Sequence, residues 1–201
     1  MVNHKNENLE EKFKHLFEII SNETFLNKQA IGGEVPFFIS TYNPVNQLKA
    51  EKYIESLKKK LEVNGISVLC INLYDLSLEL LKERKILDKL LQKESEMAKD
   101  KFLKQLQSAL DVETKIMPAI EKLLLSSDCK VLFLTGIGLV YPYLRSHNIL
   151  NNLQRIVKTV PTIMFFPGEY DGSMLNLFGR LKDDNYYRAF NIDIIKLKKE
   201  S

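Results

Sequence analysis

Four short apolar runs, each followed by polar residues and then by a helical pattern, constrain the fold of this chain most strongly. Residues 66–73 are apolar almost without interruption, which is typical of a strand buried on both faces of a parallel sheet. The other runs cover residues 35–40, 130–134 and 162–166, and residues 187–195 are predicted to form a fifth strand. The sequence therefore predicts a single three-layer α/β domain, whose mostly parallel sheet of about five strands carries helices on both faces.

Helical patterns fill the segments between these strands. Residues 9–20 carry apolar side chains at three- and four-residue spacing, so we expect a helix that packs on the domain. After the first strand, Asn43 is a favourable N-cap and Pro44 a favourable first residue for a helix that stops at Asn64. We predict another helix before the fourth strand and a short helix over residues 174–181 after it.

The connection between the second and third strands is longer than a single crossover helix requires. It is helical in pattern, with breaks near residues 94–99, at Asp111 and at Pro118, so we predict three helices. Leucine-rich faces such as these are most often core, and a surface that contacts a partner is the alternative. The predicted organisation is an N-terminal helix and loop (1–30), an α/β domain (31–195) with a helical insertion at about 76–126, and a basic tail (196–201).

Composition favours an ordinary globular protein of the cytoplasm. The net charge is only +3, from 29 Lys and Arg against 26 Asp and Glu, so we expect DNA contact to be indirect or weak. Cys70 and Cys129 lie in or beside apolar runs and are predicted to be reduced and structural. The first residues lack the apolar core of a signal peptide, and the apolar run at residues 131–141 is too short to cross a bilayer. The prediction is a cytoplasmic protein that does not bind membranes.

Polar residues follow the predicted strands, and ligands of parallel sheets bind beyond the carboxyl ends of the strands. The turn Thr135-Gly136-Ile137-Gly138 invites comparison with a phosphate loop, but it lacks the lysine and the spacing of that motif. No motif for a nucleophile, a metal or a cofactor is present, so we predict none. We interpret His147 as a hydrogen-bonded loop anchor, with a catalytic or ligand-binding role as the alternative.

The segment after the fourth strand differs from the rest of the chain, because it mixes both signs of charge with three tyrosines. Pro167-Gly168 is expected to stop the strand. Arg180 and Arg188 are expected to pair with nearby carboxylates and to hold the segment rigid. The carboxylates available for these pairs are Glu169, Asp183 and Asp184.

Several strings between residues 71 and 190 carry a resemblance to a known family. They are INLYD (71–75), FLTGIG (133–138), YP (141–142), RSHNILNNL (145–153), FPGEYDG (166–172), LFGRL (177–181) and NYYRAF (185–190). In this order they resemble the BrxB family of BREX phage-defence systems, over roughly residues 36–190. The resemblance implies a cytoplasmic accessory subunit of an assembly that blocks phage DNA, beside an ATPase, a DNA methyltransferase and an alkaline-phosphatase-like PglZ protein.

No catalytic residues come with this resemblance, so we predict a non-enzymatic adaptor whose direct partner is the PglZ-type protein. The alternative is a regulatory domain that binds a nucleotide or phosphate ligand with the 135–148 loop. Weak DNA contact through Lys196, Lys198 and Lys199 is a third hypothesis. The predicted partner or ligand surface comprises Thr135, Gly136, Gly138, Tyr141, Arg145, His147, Asn148, Glu169, Tyr170, Asp171, Arg180, Asn185, Tyr186, Tyr187 and Arg188.

Overall fold

The computed structural model describes residues 7–27, 37–157, 160–183, 185 and 189–196. Its strands are β1 (Phe37–Tyr42), β2 (Val68–Asn72), β3 (Val131–Thr135), β4 (Thr162–Tyr170), β5 (Leu175–Leu177), β6 (Leu181–Asp183) and β7 (Phe190–Asn191). Five of them form a parallel sheet in the order β2-β3-β4-β1-β7, and β5 and β6 extend β4 as antiparallel strands. The predicted α/β class with a mostly parallel sheet is confirmed.

Eight α-helices occur within the described residues, together with shorter helical turns. The helices are α1 (Leu9–Ile20), α2 (Glu23–Leu26), α3 (Gln47–Val63), α4 (Leu73–Glu83), α5 (Leu87–Glu94), α6 (Lys99–Ala109), α7 (Met117–Leu125) and α8 (Ser146–Ile156). The turns are two 3₁₀ segments, Pro44–Asn46 and Ile192–Ile194, and a π-helical turn, Val112–Ile116. A helix with the length and apolar character of a bilayer span is not found in the described part of the chain.

Two apolar cores lie on opposite faces of the sheet, which explains why the strands are apolar at successive positions. In β4, Ile163 and Phe165 pack with α1, α2 and α3, whereas Met164 and Phe166 pack with α4, α7 and α8. Side chains of a strand alternate between faces, so a strand covered on both sides must be apolar throughout. Burying a side chain such as Phe165 contributes about 1.5–3 kcal/mol to folding.

Several predicted strand limits are wrong by one to three residues. β2 begins at Val68 and ends at Asn72, because Leu73 already belongs to α4. The Asn72 side chain caps that helix by accepting hydrogen bonds from the backbone N–H groups of Tyr74 (2.9 Å) and Asp75 (3.5 Å). β1 and β3 each extend further than predicted, to Tyr42 and Thr135, while residues 35 and 36 lie outside the described residues.

The insertion contains one more α-helix than predicted, because the chain also turns at residues 84–86. There Lys85 has a φ of 55° and closes the carboxyl end of α4. The predicted breaks at 94–99 and at Asp111 are confirmed. Pro118 does not end a helix. It lies in the first turn of α7, directly after the π-helical turn, and a proline is tolerated there because the first backbone N–H groups of a helix have no partner within it.

The segment after the fourth strand differs most from its prediction. β4 continues through Pro167 and Gly168 to Tyr170. Residues 174–181 form no helix: they contain β5, a turn at 178–180 and the first residue of β6. A Cβ on Gly168 would overlap the Asn176 carbonyl oxygen, so glycine is what allows β4 and β5 to pair at this point. The fifth strand is also shorter than predicted, because β7 holds two residues and a 3₁₀ turn follows it.

Candidate functional site

The turn after β3 begins at Gly136, which lies against the end of the neighbouring strand β2. Gly136 has a φ of +75°, and a Cβ there would overlap Oδ1 of Asn72, the oxygen that caps α4. Thr135 lies beside it and donates its hydroxyl to the Ile71 carbonyl oxygen at 3.5 Å. A glycine at position 136 therefore leaves space for the Asn72 side chain, which caps α4, and this side chain fills the space where a Cβ would lie.

Gly138 makes a second close contact, with the β4–β5 hairpin. A Cβ on Gly138 would lie 2.9 Å from both the Phe178 ring and Cγ of Pro167. Phe178 has a φ of +57°, and its backbone N–H donates to the Pro167 carbonyl oxygen at 2.9 Å. A bulky residue rarely adopts this conformation, so the contacts with Gly138 and Pro167 hold Phe178 in place.

His147 joins the amino-terminal end of α8 to the edge strand β6. Its Nδ1 atom lies 3.1 Å from Oδ2 of Asp183. The other carboxylate oxygen of Asp183 accepts hydrogen bonds from the backbone N–H of Asn185 (3.2 Å) and from its side-chain amide. His147 has a hydrogen-bonding partner as predicted, but it lies in the first turn of α8 and not in the loop where it was predicted.

The residues that follow the parallel part of β4 also bond within the protein. Glu169 accepts a hydrogen bond from the Asn176 amide at 3.2 Å, and the buried Tyr170 donates its hydroxyl to the Ala189 carbonyl oxygen at 2.8 Å. Asp171 closes the β4–β5 turn by accepting from Met174 and Ser173. These hydrogen bonds, the one from the Met174 backbone N–H first, hold the pKa of the Asp171 carboxyl below its ordinary value.

Four exposed apolar side chains come from the turn after β3 and from the hairpin that follows β4, and we refer to these four as the carboxyl-edge patch. Leu139 is 46% exposed, and Tyr141, Phe178 and Leu181 are each 37–38% exposed. Leu139 and Tyr141 belong to the turn that begins at Gly136, while Phe178 and Leu181 belong to the hairpin that covers Gly138. Polar residues thus hold the loops in place, and apolar side chains face outward.

A groove of about 410 Å³ lies on the other side of α8, between that helix and the insertion; we call it the insertion groove. Tyr143, Arg145 and Asn148 line it from the loop and α8, and Asp111 and Glu113 line it from the π-helical turn. Burial raises the pKa of the Tyr143 hydroxyl. No group of three or more His, Cys, Asp and Glu side chains that could hold a metal ion occurs among the described residues.

The predicted surface residues are thus divided between two places. His147 faces the hairpin with Asp183 and Asn185, whereas Arg145 and Asn148 line the insertion groove. Arg180 is exposed, and within the described residues it forms no ion pair with Glu169 or Asp183; the third expected partner, Asp184, lies outside those residues. Tyr186, Tyr187 and Arg188 lie outside the described residues, as do Asp184 and the tail lysines Lys198 and Lys199.

The sequence did not predict a further polar cluster, at the carboxyl end of β1. Lys12 of α1 lies 2.7 Å from Asp193, and Asp193 also accepts hydrogen bonds from Ser40 and Thr41. Glu7 accepts from the backbone N–H of Asn43 at 3.0 Å. The only sequence signal is a hydroxyl pair at the end of an apolar strand, since the charged partners are distant along the chain.

Comparison with known proteins identifies the family. The family model described as "BREX protein BrxB" matches residues 69–192. The BREX protein BrxB of Bacillus cereus (strain H3081.97) is 35% identical over 188 residues, which are 92% of this chain and 97% of that protein. The chain belongs to the BrxB family. The BREX protein BrxB of Escherichia coli O9:H4 (strain HS) is 28% identical over 184 residues, which cover 92% of this chain and 91% of that protein.

BrxB family membership confirms the resemblance seen in the sequence motifs and supports a role in the BREX defence system. The matched region runs from β2 to the last 3₁₀ turn. It therefore contains the insertion, the 135–148 loop and the hairpin, and it begins after α1, β1 and α3. No solved structure matches this chain.

Proposed function

We propose that this chain is a non-enzymatic accessory subunit of a BREX anti-phage assembly, and that it binds the alkaline-phosphatase-like PglZ component through the carboxyl-edge patch. The observation that carries the proposal is the exposure of Leu139, Tyr141, Phe178 and Leu181 at one edge of the sheet. Exposed apolar side chains that are grouped and bordered by polar residues are typical of protein–protein contact surfaces.

The polar residues of the same edge support an interaction surface more than a reaction centre. His147 is engaged by Asp183, Asp171 is engaged by its own turn, and Asn72 caps α4. Each of these groups has a structural partner, and that partner accounts for its presence at the edge. A proton-transfer role would require such a group to face a substrate instead.

Phe178 is suited to be the centre of this contact. Its ring is fixed against Gly138 and Pro167, and 38% of the residue remains exposed. An aromatic side chain that is already held in one position loses little conformational freedom when a partner covers it. The hairpin turn therefore presents a preorganised anchor for a partner.

The proposal is tested by co-expression with the PglZ-type component and co-purification through a tag on this chain. Leu139→Arg and Leu181→Arg place a charge in the patch without removing the packed Phe178 ring. Because a charge buried without a partner at an interface is costly, we expect each variant to weaken association at least about 30-fold. Loss of the complex in both variants is the expected result.

The matched control is Val63→Arg at the end of α3, where the original side chain is 87% exposed. This variant adds the same charge at an exposed apolar position away from the carboxyl edge, because α3 leads from the carboxyl end of β1 back to the start of the parallel strand β2, so we expect association to be unchanged. Stoichiometric complexes with Leu139→Arg and Leu181→Arg would contradict the proposed surface. Failure of the unchanged chain to co-purify with soluble PglZ-type protein would contradict the proposed partner.

A second candidate function is the binding of a nucleotide or phosphate ligand, and the insertion groove beside Arg145 favours it. The groove offers the Arg145 guanidinium with the Asn148 amide, and its volume of about 410 Å³ suits a small molecule. Asn72 and Phe178 fill the space beside Gly136 and Gly138, so a ligand would occupy the groove rather than the glycine turn.

Calorimetric titration with ATP, GTP and cyclic nucleotides tests this candidate. If the groove binds a phosphate-bearing ligand, Arg145→Ala should weaken binding at least about tenfold, because a charge-assisted hydrogen bond is lost. The control is Lys122→Ala, which removes an exposed positive charge on α7 away from the groove. Absence of heat at about millimolar ligand would remove the candidate.

A further inference from the structure

The helices α5 and α6 of the insertion enclose a second groove, and its chemistry differs from that of the first. The groove has a volume of about 300 Å³, and we call it the basic groove. We propose that it docks an acidic segment of a partner protein that inserts one or two apolar side chains. This inference does not depend on the carboxyl-edge patch or on the identity of the PglZ-type partner.

The floor of the basic groove is apolar and its walls are cationic or neutral. Leu90 is buried, and Ile86 and Ala109 are half-buried, whereas Lys89 and Lys93 are exposed. Arg84, Gln105 and Ser108 complete the lining. Among the described residues, three positive charges and no carboxylate line the groove, so its charge is complementary to an acidic partner.

Arg84 has a fixed position in this lining. Its Nη1 atom donates a hydrogen bond to the Ala109 carbonyl oxygen at 2.5 Å, which ties the end of α4 to the last residue of α6. A guanidinium has five N–H donors, so others remain for an incoming carboxylate. An arginine that is already oriented loses less conformational freedom on binding than a free one, which favours recognition at this place.

The two helices that form the groove contribute few fully buried side chains to the domain. α6 has no fully buried residue, and Leu90 is the buried residue of α5. Leu91 on α5 is 56% exposed although it follows Leu90 directly. Leu87, Phe102 and Leu106 are partly buried against the core, so one side of α5 and α6 packs on the domain and the other side is exposed. The exposed side lies inside the region that the family model matches.

The apolar floor favours a peptide over a nucleic acid. A phosphodiester backbone has no apolar group to place on Ile86 and Leu90, whereas an acidic peptide supplies carboxylates for the lysines and a leucine or similar side chain for the floor. A protein that binds DNA through its backbone commonly makes about 6–10 phosphate contacts, and three cations cannot provide them. Recognition of an apolar side chain within an acidic segment follows the common helix-in-groove mode.

The test uses fluorescence anisotropy with the full chain and a labelled peptide in which leucines recur at three- and four-residue spacing among glutamates. We expect saturable binding that weakens as salt is added, because the lysines are exposed to solvent. The double variant Lys89→Glu/Lys93→Glu should lose affinity at least about tenfold. Ser108→Phe, which fills the groove and keeps its charge, should lower affinity as well.

The matched control is Lys52→Glu/Lys60→Glu on α3, which makes the same change of net charge at exposed lysines on the other face of the sheet. Binding should be unchanged in this variant. A glutamate peptide without leucines should bind more weakly, and a single-stranded oligonucleotide should not compete. Absence of peptide binding at about millimolar concentration, equal loss in the control, or stronger binding of the oligonucleotide would each overturn the proposal.

Discussion

Lys12 and Asp193 form an ion pair that joins the first helix to the last described turn of the chain, with Nζ 2.7 Å from Oδ2. Both side chains are largely buried, with 14% and 16% of their surface exposed. Asp193 also accepts hydrogen bonds from the Ser40 hydroxyl (2.7 Å) and from the Thr41 backbone N–H (3.0 Å). Its carboxylate therefore links α1, β1 and the last 3₁₀ turn.

Asp193→Ala should lower the free energy of unfolding by about 3 kcal/mol, because the change leaves Lys12, Ser40 and Thr41 without their shared acceptor in a largely buried place. Urea unfolding followed by circular dichroism measures the effect. Asp128→Ala, which removes an exposed carboxylate, is the control and should change stability by less than about 0.5 kcal/mol. Equal stability of the two variants would show that the network contributes little.

Gly136→Ala should destabilise the protein more than Gly65→Ala, although both glycines have a φ of +75°. At Gly65 a Cβ meets no atom within 4 Å, so the cost is conformational and about 1–2 kcal/mol. At Gly136 the Cβ would also displace the Asn72 cap of α4, which adds about 1–2 kcal/mol.

Thermal or urea unfolding of both glycine variants measures this difference, and a double-mutant cycle with Asn72→Ala tests its cause. If the Cβ acts by displacing the cap, Asn72→Ala should cost less in the Gly136→Ala background than alone. Additive effects of the two changes, or equal costs at Gly65 and Gly136, would contradict the explanation.

Elements set by local pattern were predictable from the sequence, and elements set by distant contacts were not. α1 has the predicted limits, because an amphipathic spacing and a cap are properties of neighbouring residues. The β5–β6 hairpin was mistaken for a helix because its strands have three residues each. Such strands are too short to show an alternating pattern, and Pro167 and Gly138 fix the turn at Phe178 from far along the chain.

The candidate site shows the same limit. Its position at the carboxyl edge followed from the order of strands and helices. A hydrogen-bonded His147 was expected because no second histidine lies at the spacing of a metal site. The contact between the Asn72 side chain and Gly136 could not be predicted, since the two residues come together only when β2 and β3 pair. Asp193 and Lys12 are separated by 181 positions, and no local pattern connects them.

Lys85→Gly should stabilise the protein by about 1 kcal/mol, because Lys85 has a φ of 55° at a position where helix ends favour glycine. The end of α4 has the two hydrogen bonds of a Schellman motif. The Lys85 backbone N–H donates to the Lys82 carbonyl oxygen (2.8 Å), and the Ile86 backbone N–H donates to the Leu81 carbonyl oxygen (3.1 Å). Lys82→Gly, within α4, is the control and should cost about 1 kcal/mol. Urea unfolding distinguishes the opposite signs, and a loss of stability in Lys85→Gly would contradict the prediction.

Cys70 should react slowly with iodoacetamide at neutral pH, because burial raises the pKa of its thiol and the thiolate is the reactive form. Cys129→Ser isolates Cys70, and alkylation rates across a pH series should rise at a higher pH for the folded chain than for the same chain in urea.

The folded state holds the Cys70 thiol proton more tightly than the unfolded state does. The resulting stability is therefore fully present below the ordinary thiol pKa of about 8.5 and is lost as pH rises through the folded-state pKa. Identical pH profiles with and without urea would contradict the raised pKa, and Cys70→Ala should remove the alkaline loss of stability that the thiol causes.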